Sequence, residues 1–554
     1  MFRRPRSATL AALSILLLAA TSRAQPPSQW PIHSSGSADD TGAWTLTESG
    51  YVGTYFKLAA PGTVTISVTA TPARAGTPSV NVAVAGTRHP ARDQPIQLTL
   101  PAGTFFCRVE LTNGVPMRLA DITLTGADLL PGNRDEDALA AADTFISTGR
   151  RSAVSVELRG LAPGTVVHIK QTQSAFHFGA NASGNGHSQL LTPNSPPDSD
   201  PARFQATFPT LFNTIVPSNA GKWAYCEATP GVLTMAYPDA ILAFAREHGL
   251  FARMHNLIWD TGQQPKWVIE LLDRAEAGDA DAKKELRAAI SRRIQYYVRD
   301  RCAGFGELDV LNESVHRGRY LKVFGIDGIA GIYAECADAI RAAGVTTLTC
   351  VNEYNVIQYS QAPTGAKGLR NDPFANWYRS HIESLQSAGA HIGTIGVQYY
   401  ADPRPNVADP HRPAHVREVI ESLAVTGLPV SLTEFGIKKG GAPEQSKKVL
   451  EESLRIAYGS PDVSGFLFFG FWEKAMWDQA PAAMLVDAEF HLTPLGEAYV
   501  ALRKQWTTET NATVGEDHRI HFTGFHGTYT LTSSPEVRHV TLLPGVTEYQ
   551  VPTP

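Results

Sequence analysis

The sequence predicts an α/β chain: a TIM (β/α)8 barrel, preceded by an N-terminal β-sandwich and followed by a small C-terminal β-rich module. Three observations predict it. From about Phe176 to Leu502, short β-rich runs alternate with helical patterns, the signature of a parallel α/β architecture. From about Gln29 to Gly126 helical periodicity is absent, and β-rich runs are punctuated by Gly, Pro and Asn at sandwich spacing. Beyond Thr507 the chain is again β-rich and glycine-marked. At 554 residues it is too long for one domain, since a barrel takes about 250 residues.

In chain order, Arg3, Arg4 and Arg6 precede an apolar run from Ala8 to Ala20, and Ser22-Arg23-Ala24 supplies small residues for cleavage. A signal peptide over 1–24 is expected, with export to the medium or periplasm. No other stretch is apolar enough to span a membrane. Residues 29–128 form the expected sandwich, a candidate carbohydrate-binding module in which Trp44, Tyr51, Tyr55 and Phe56 are either stacking rings or core. Residues 129–169 read as a linker with lead-in strands, and 507–554 as the terminal module. Between them, 170–506 carry eight strand candidates, near 176–180, 214–216, 251–255, 307–312, 347–351, 392–398, 429–433 and 465–469. Helices fill the gaps, several stopped by a glycine: Gly249, Gly344 and Gly389. Eight such units fit a barrel better than a doubly wound sheet.

Composition narrows the function classes. A net charge of −5 offers no basic patch for nucleic acid or anionic lipid. The five cysteines have no CxxC and no ladder of spacings, so buried thiols with at most one bridge are expected. None of the 17 histidines falls in a recognised metal motif. No GxGxxG or phosphate loop argues for a nucleotide. No metal and no cofactor are expected, and the chain is expected to act as a monomer.

The chemistry sits at strand ends. Leu308, Val310 and Leu311 make an apolar run that ends in Asn312-Glu313, and Val430-Ser-Leu-Thr433 closes on Glu434 in the same way. A barrel enzyme presents its reacting groups where strands empty into loops. Strands four and seven face each other across such a barrel, so the two carboxyls flank one cleft. A retaining glycosidase needs two carboxyl groups about 5–5.5 Å apart, one to protonate the leaving oxygen and one to attack the anomeric carbon. Other strand ends carry sugar-binding types: Asn219, Lys222 and Trp223 after strand two, His255 and Trp259 after strand three, Asn312 on strand four, Gln398 and Tyr400 on strand six, and Trp477 after strand eight. Aromatic faces pack on sugar rings, while amides and ammonium groups bond hydroxyls.

Asp309-Val-Leu-Asn-Glu313 resembles the acid/base motif of glycoside hydrolase family 10, the endo-β-1,4-xylanases, with Leu308 in place of the tryptophan. Leu432-Thr-Glu-Phe-Gly436 is similar to its nucleophile motif, Arg253-Met-His-Asn-Leu-Ile-Trp259 to its R-G-H-x-L-x-W, Val351-Asn-Glu-Tyr-Asn355 to its N-D-Y-N, and Ile395-Gly-Val-Gln398 to its strand-six pattern. The resemblance runs from about 170 to 506. It implies retention of configuration, with Glu313 as acid/base and Glu434 as nucleophile, acting on xylan or a related polysaccharide. Four departures bear on substrate choice: Ser218 for a glutamate, Asp260 and Tyr400 for histidines, and Phe469 for a tryptophan. Ser218 and Asp260 are expected where glycone-side sugars are read, and the Glu434 charge is expected to raise the Glu313 pKa. A glycanase of shifted specificity and a non-catalytic glycan binder on the same barrel are the alternatives.

Overall fold

The computed structural model describes residues 26–92, 94–182, 188–358, 374–402, 411–438, 440–475 and 484–552. The expected leader and Trp477 lie outside them. Eight parallel strands form the barrel: β1 (His177–Asn181), β2 (Thr214–Val216), β3 (Phe251–Met254), β4 (Glu307–Asn312), β5 (Leu348–Glu353), β6 (Thr394–Ala401), β7 (Val430–Ile437) and β8 (Val463–Phe468). Each pairs with its neighbour, β1 pairs with β8, and β3 pairs directly with β4, so the sheet has no edge. A two-residue strand, Ile258–Trp259, adds to the upper end of β4. Burial on both faces explains the near-continuous apolar runs: every residue of β4 and β7 is buried. The glycine stops hold. Gly249 at φ 62° ends the helix Ala236–His248 in the left-handed conformation that only glycine adopts without strain.

The N-terminal region is a two-sheet sandwich. One sheet contains Gly50–Leu58, Gly103–Leu111 and Val80–Val84, and the other contains Met117–Thr125, Gly62–Pro72 and Ile96–Leu100. Their facing side chains, among them Val52, Phe56, Val109 and Ile122, make its core. The outer face of the first sheet is buried too: Tyr51, Tyr55 and Phe106 join the barrel's core through Ala138, Ala141 and Ala142 of the helix Asp135–Thr148. A charged cluster seals the same seam. Arg108 contacts Glu110 (2.7 Å), Asp462 (3.3 Å) and Glu421, and Arg88 reaches Glu110 and Asp462, both at 3.0 Å. Tyr51, Tyr55 and Phe56 are thus packing residues and not stacking rings, while Trp44 lies against His33 with centroids 3.7 Å apart. The sandwich also meets the barrel's outer helices, where the Tyr51 hydroxyl donates to the Glu418 carbonyl at 3.2 Å and Asn376 Nδ2 donates to the Ser34 carbonyl.

The lead-in strands and the C-terminal segment are one unit, which corrects the expected division at 129–169 and 507–554. Arg151–Leu158 lies between Arg519–Phe525 and Glu548–Val551, and Val166–Ser174 between Glu509–Thr513 and Gly527–Ser533. Val154, Val156, Val167 and Ile169 bury one face of each strand against Leu531, Val540 and Leu542. Two isolated strands cannot bury such a face by themselves. The expected linker also shortens, because Asp128–Leu130 pairs with Gly50–Leu58 and the helix begins at Asp135. All five cysteines are buried and unpaired, so the one bridge allowed by the sequence does not form. Among the described residues no helix is long and apolar enough to cross a membrane, and no His/Cys/Asp/Glu cluster could hold a metal ion.

Candidate active site

The carboxyl-terminal ends of the strands surround a cleft of about 570 Å3, within the range that holds a small ligand. Its floor is charged and buried. Arg253 on β3 contacts Glu307 (2.5 Å) and Asp309 on β4, and Asp309 binds His255 Nδ1 at 2.7 Å. Burial alone would raise Asp309, but Arg253 and His255 outweigh it and hold its pKa below the usual carboxylate value. His255 is thereby fixed at the base of the cleft, with Asn256 Nδ2 3.3 Å from its other nitrogen.

Above the floor, register shifts in β4, β6 and β7 let successive strand-end residues turn into the same space. Glu313 follows β4 at φ 59°, a strained conformation for a non-glycine residue, and its N–H donates to the Asn352 carbonyl at 2.7 Å. Trp259 Nε1 donates to Glu313 Oε2 at 2.8 Å and Gln398 Nε2 to Oε1 at 3.0 Å. On the facing wall Tyr400 donates to Glu434 Oε2 at 2.7 Å and Asn352 Nδ2 to Oε1 at 3.3 Å. Asn352 also donates to Asn312 Oδ1 (2.9 Å) and accepts from Thr433 (2.5 Å), so one amide ties β4, β5 and β7 together. Asn312 Nδ2 is buried and has no hydrogen-bond partner among the described residues, which leaves a donor for a ligand hydroxyl.

Both glutamates are raised, and in both cases burial is the main cause. For Glu313 the added repulsion comes from Glu353 on β5, opposed by Gln398, Trp259 and Arg317. The expected main role of Glu434 in raising Glu313 is corrected accordingly. For Glu434, His255 and Tyr400 pull down while Glu313 pushes up. The Tyr400 hydroxyl donates to Glu434, which favours its ionised form, as Gln398 and Trp259 do for Glu313. Removing the phenol by Tyr400→Phe takes away a donor to the charged form and raises Glu434 further. The acid limb of kcat/KM is expected to move to higher pH; an unmoved limb would mean that Tyr400 only packs.

Lys222 Nζ reaches Asn219 Oδ1 (2.9 Å) and Gln263 Oε1 (2.6 Å) and sits 4.5 Å from the Trp259 ring centre. Burial pushes its pKa down to about 8, with Glu434 and Glu313 opposing. Asn219, Lys222, His255, Trp259, Asn312, Glu313, Gln398, Tyr400 and Glu434 therefore share one cleft. Trp223 does not: its indole is buried, donates to Glu227 at 3.0 Å and packs under Arg293. It lies in the helical turn Trp223–Cys226 and packs in the core against Trp267. Asp260 is likewise turned away, 3.6 Å from Arg319, so only Ser218, Tyr400 and Phe469 of the four departures line the cleft. The sequence reading did not single out Asn181, Gln263, Arg317 or Lys438 as lining residues, nor the tie made by Asn352. Asn352 and Lys438 obey the same strand-end rule that revealed the glutamates; Gln263 comes from a loop with no such signal.

The model of the family described as Glycosyl hydrolase family 10 matches residues 180–503. A relative named Endo-1,4-beta-xylanase 5-like, from Arabidopsis thaliana, is 26% identical over 390 residues, covering 68% of this chain and 60% of its own. Anti-sigma-I factor RsgI6 of Acetivibrio thermocellus is 25% identical over 324 residues, 58% of this chain and 38% of its own. The chain thus spans less than two thirds of the length of these relatives. Among solved structures, xylanase 10B from Thermotoga petrophila with xylobiose aligns at a TM-score of 0.48 and 20% identity, covering 60% of this chain and 94% of its own.

Proposed function

The chain belongs to glycosyl hydrolase family 10, and from that membership we propose that it is an exported, retaining endo-β-1,4-glycanase that cleaves xylan. The observation that carries this reading is the convergence of Glu313 and Glu434 on one cleft, each in its own set of donors and both tied to Asn352.

Glu313 enters protonated and gives its proton to the leaving glycosidic oxygen, while Glu434 attacks the anomeric carbon to form a covalent glycosyl-enzyme. Water then replaces the leaving group, Glu313 takes its proton, and the bond to Glu434 breaks with a second inversion. Tyr400 and Asn352 stabilise the carboxylate that Glu434 regains at the end. Asn312 Nδ2 supplies a donor beside the reacting centre, where hydrogen bonds to a sugar 2-hydroxyl strengthen in the transition state. Trp259 and Lys222 hold the sugar on one side. Because burial keeps Glu313 protonated above the ordinary carboxylate range, the alkaline limb is expected above that range.

Reducing-sugar release from xylan, mixed-linkage glucan and mannan tests the reading, with Glu434→Ala as control. Cleavage of xylan that vanishes in the variant supports it. Cleavage of another glycan alone places the specificity in Ser218, Tyr400 and Phe469, which line the cleft. No release from any of them, with binding intact, returns the non-catalytic reading.

A further inference from the structure

Among the described residues three cationic side chains line the cleft, Lys222, Arg317 and Lys438, against two carboxyls, Glu313 and Glu434. One of those carboxyls is protonated at the start of the reaction proposed above. The described lining of the cleft is therefore net positive, in a chain whose net charge is −5. A neutral polysaccharide has no need of that excess.

The three cations are not alike. Lys222 is committed to Asn219 and Gln263 and sits under Trp259. Arg317 makes only a long ion pair with Glu313. The left-handed turn at Glu313 brings the chain back so that Arg317 N–H donates to the Glu313 carbonyl at 2.7 Å. Its Nε stops 3.7 Å from Glu313 Oε2, beyond hydrogen-bond reach, and the side chain is 49% exposed. Among the described residues its guanidinium makes no hydrogen bond, so the fork that matches a carboxylate is unspent. Beside it, His316 is pinned to Glu353 at 2.7 Å and stacks on Tyr354 at 3.9 Å, which sets an aromatic ring in the same wall. Lys438 lies just beyond β7, its N–H bonded to the Ala401 carbonyl at 2.8 Å, and its ammonium group has no ion pair among the described residues.

We propose that the cleft reads a carboxylate on its substrate, a uronic acid borne by the β-linked glycan, with Arg317 as the group that binds it and Lys438 adding attraction from the β7 side. This rests on the glycanase reading and specifies its substrate class. Placing the uronate on Arg317 also draws the guanidinium's field away from Glu313. The acid therefore holds its proton to higher pH with the charged substrate than with a neutral one.

The test compares a xylo-oligosaccharide carrying one glucuronic acid with the same oligosaccharide after reduction of that carboxyl to an alcohol, which keeps size and hydroxyls and removes charge. The acid form is expected to exceed the reduced form in kcat/KM by about 10- to 100-fold, the range of a charge-assisted hydrogen bond. The ratio should collapse toward one in Arg317→Gln, fall partly in Lys438→Gln, and shrink in high salt. The ratio is the readout, so a general loss of activity in a variant does not decide the matter. A ratio near one in the unaltered protein, or an undiminished ratio in Arg317→Gln, overturns the inference while leaving the glycanase reading intact. Should neither oligosaccharide be cleaved, the glycanase reading fails on its own account. Calorimetric titration of Glu434→Gln with the same pair then decides the carboxylate preference, and equal dissociation constants refute it.

Discussion

Glu434→Ala is expected to lose hydrolysis by about 10^4-fold or more, the scale of removing a nucleophile from a unit whose members act together. Added azide should restore turnover of a substrate with a good leaving group, and the product should be the α-glycosyl azide. The reason is positional: the truncated side chain leaves a small void facing the side of the sugar that Glu434 is proposed to attack, and azide enters there once, inverting the centre. Glu313→Ala should behave differently. With an activated leaving group the first step survives without an acid, the glycosyl-enzyme accumulates, and azide entering from the Glu313 side gives the β-product after two inversions. Nuclear magnetic resonance of the two azides separates the cases. The same anomer from both variants, or an α-azide from Glu313→Ala, would reverse or abolish the assigned roles.

Arg253→Met is expected to cost about 3–5 kcal/mol of stability, the range for breaking a buried ion pair by removing one partner. Arg253 is 1% exposed, and both of its carboxylate partners are buried. Without it Glu307, already raised by burial, and Asp309 face each other uncompensated. Asp309 has its pKa depressed in the folded protein, so its contribution is present above the unfolded pKa and lost as pH falls through the folded one. In the variant that acid-side dependence should flatten. Adding Glu307→Gln and Asp309→Asn should recover much of the stability, since a neutral replacement of the whole group avoids the unpaired charge. Activity should not return, because His255 loses the carboxylate at 2.7 Å that orients it. Urea unfolding followed by tryptophan fluorescence reads the first effect and initial rates the second. A loss below 1 kcal/mol would mean that water or relaxation solvates the site.

The sequence by itself determined the barrel, its strand order and the two glutamates. Those features are local: apolar runs of strand length, glycine stops such as Gly249, and a carboxyl at the point where a buried run ends. The strand-end rule was also enough to place Asn312, Gln398 and Tyr400 in the cleft. It misjudged Trp223 and Asp260, because a residue in the segment beyond a strand points inward or outward according to packing that has no sequence period. Tertiary structure alone decided the rest. Arg151–Leu158 and Val166–Ser174 find their partners more than 300 residues away, at Arg519–Phe525 and Gly527–Ser533, and a strand's own pattern states only that it needs a partner. Tyr51 and Tyr55 became packing residues because the sheet that carries them is covered on both faces. Glu353, and not Glu434, emerged as the carboxylate that most raises Glu313, since such shifts depend on distances and on burial, which only the closed barrel sets.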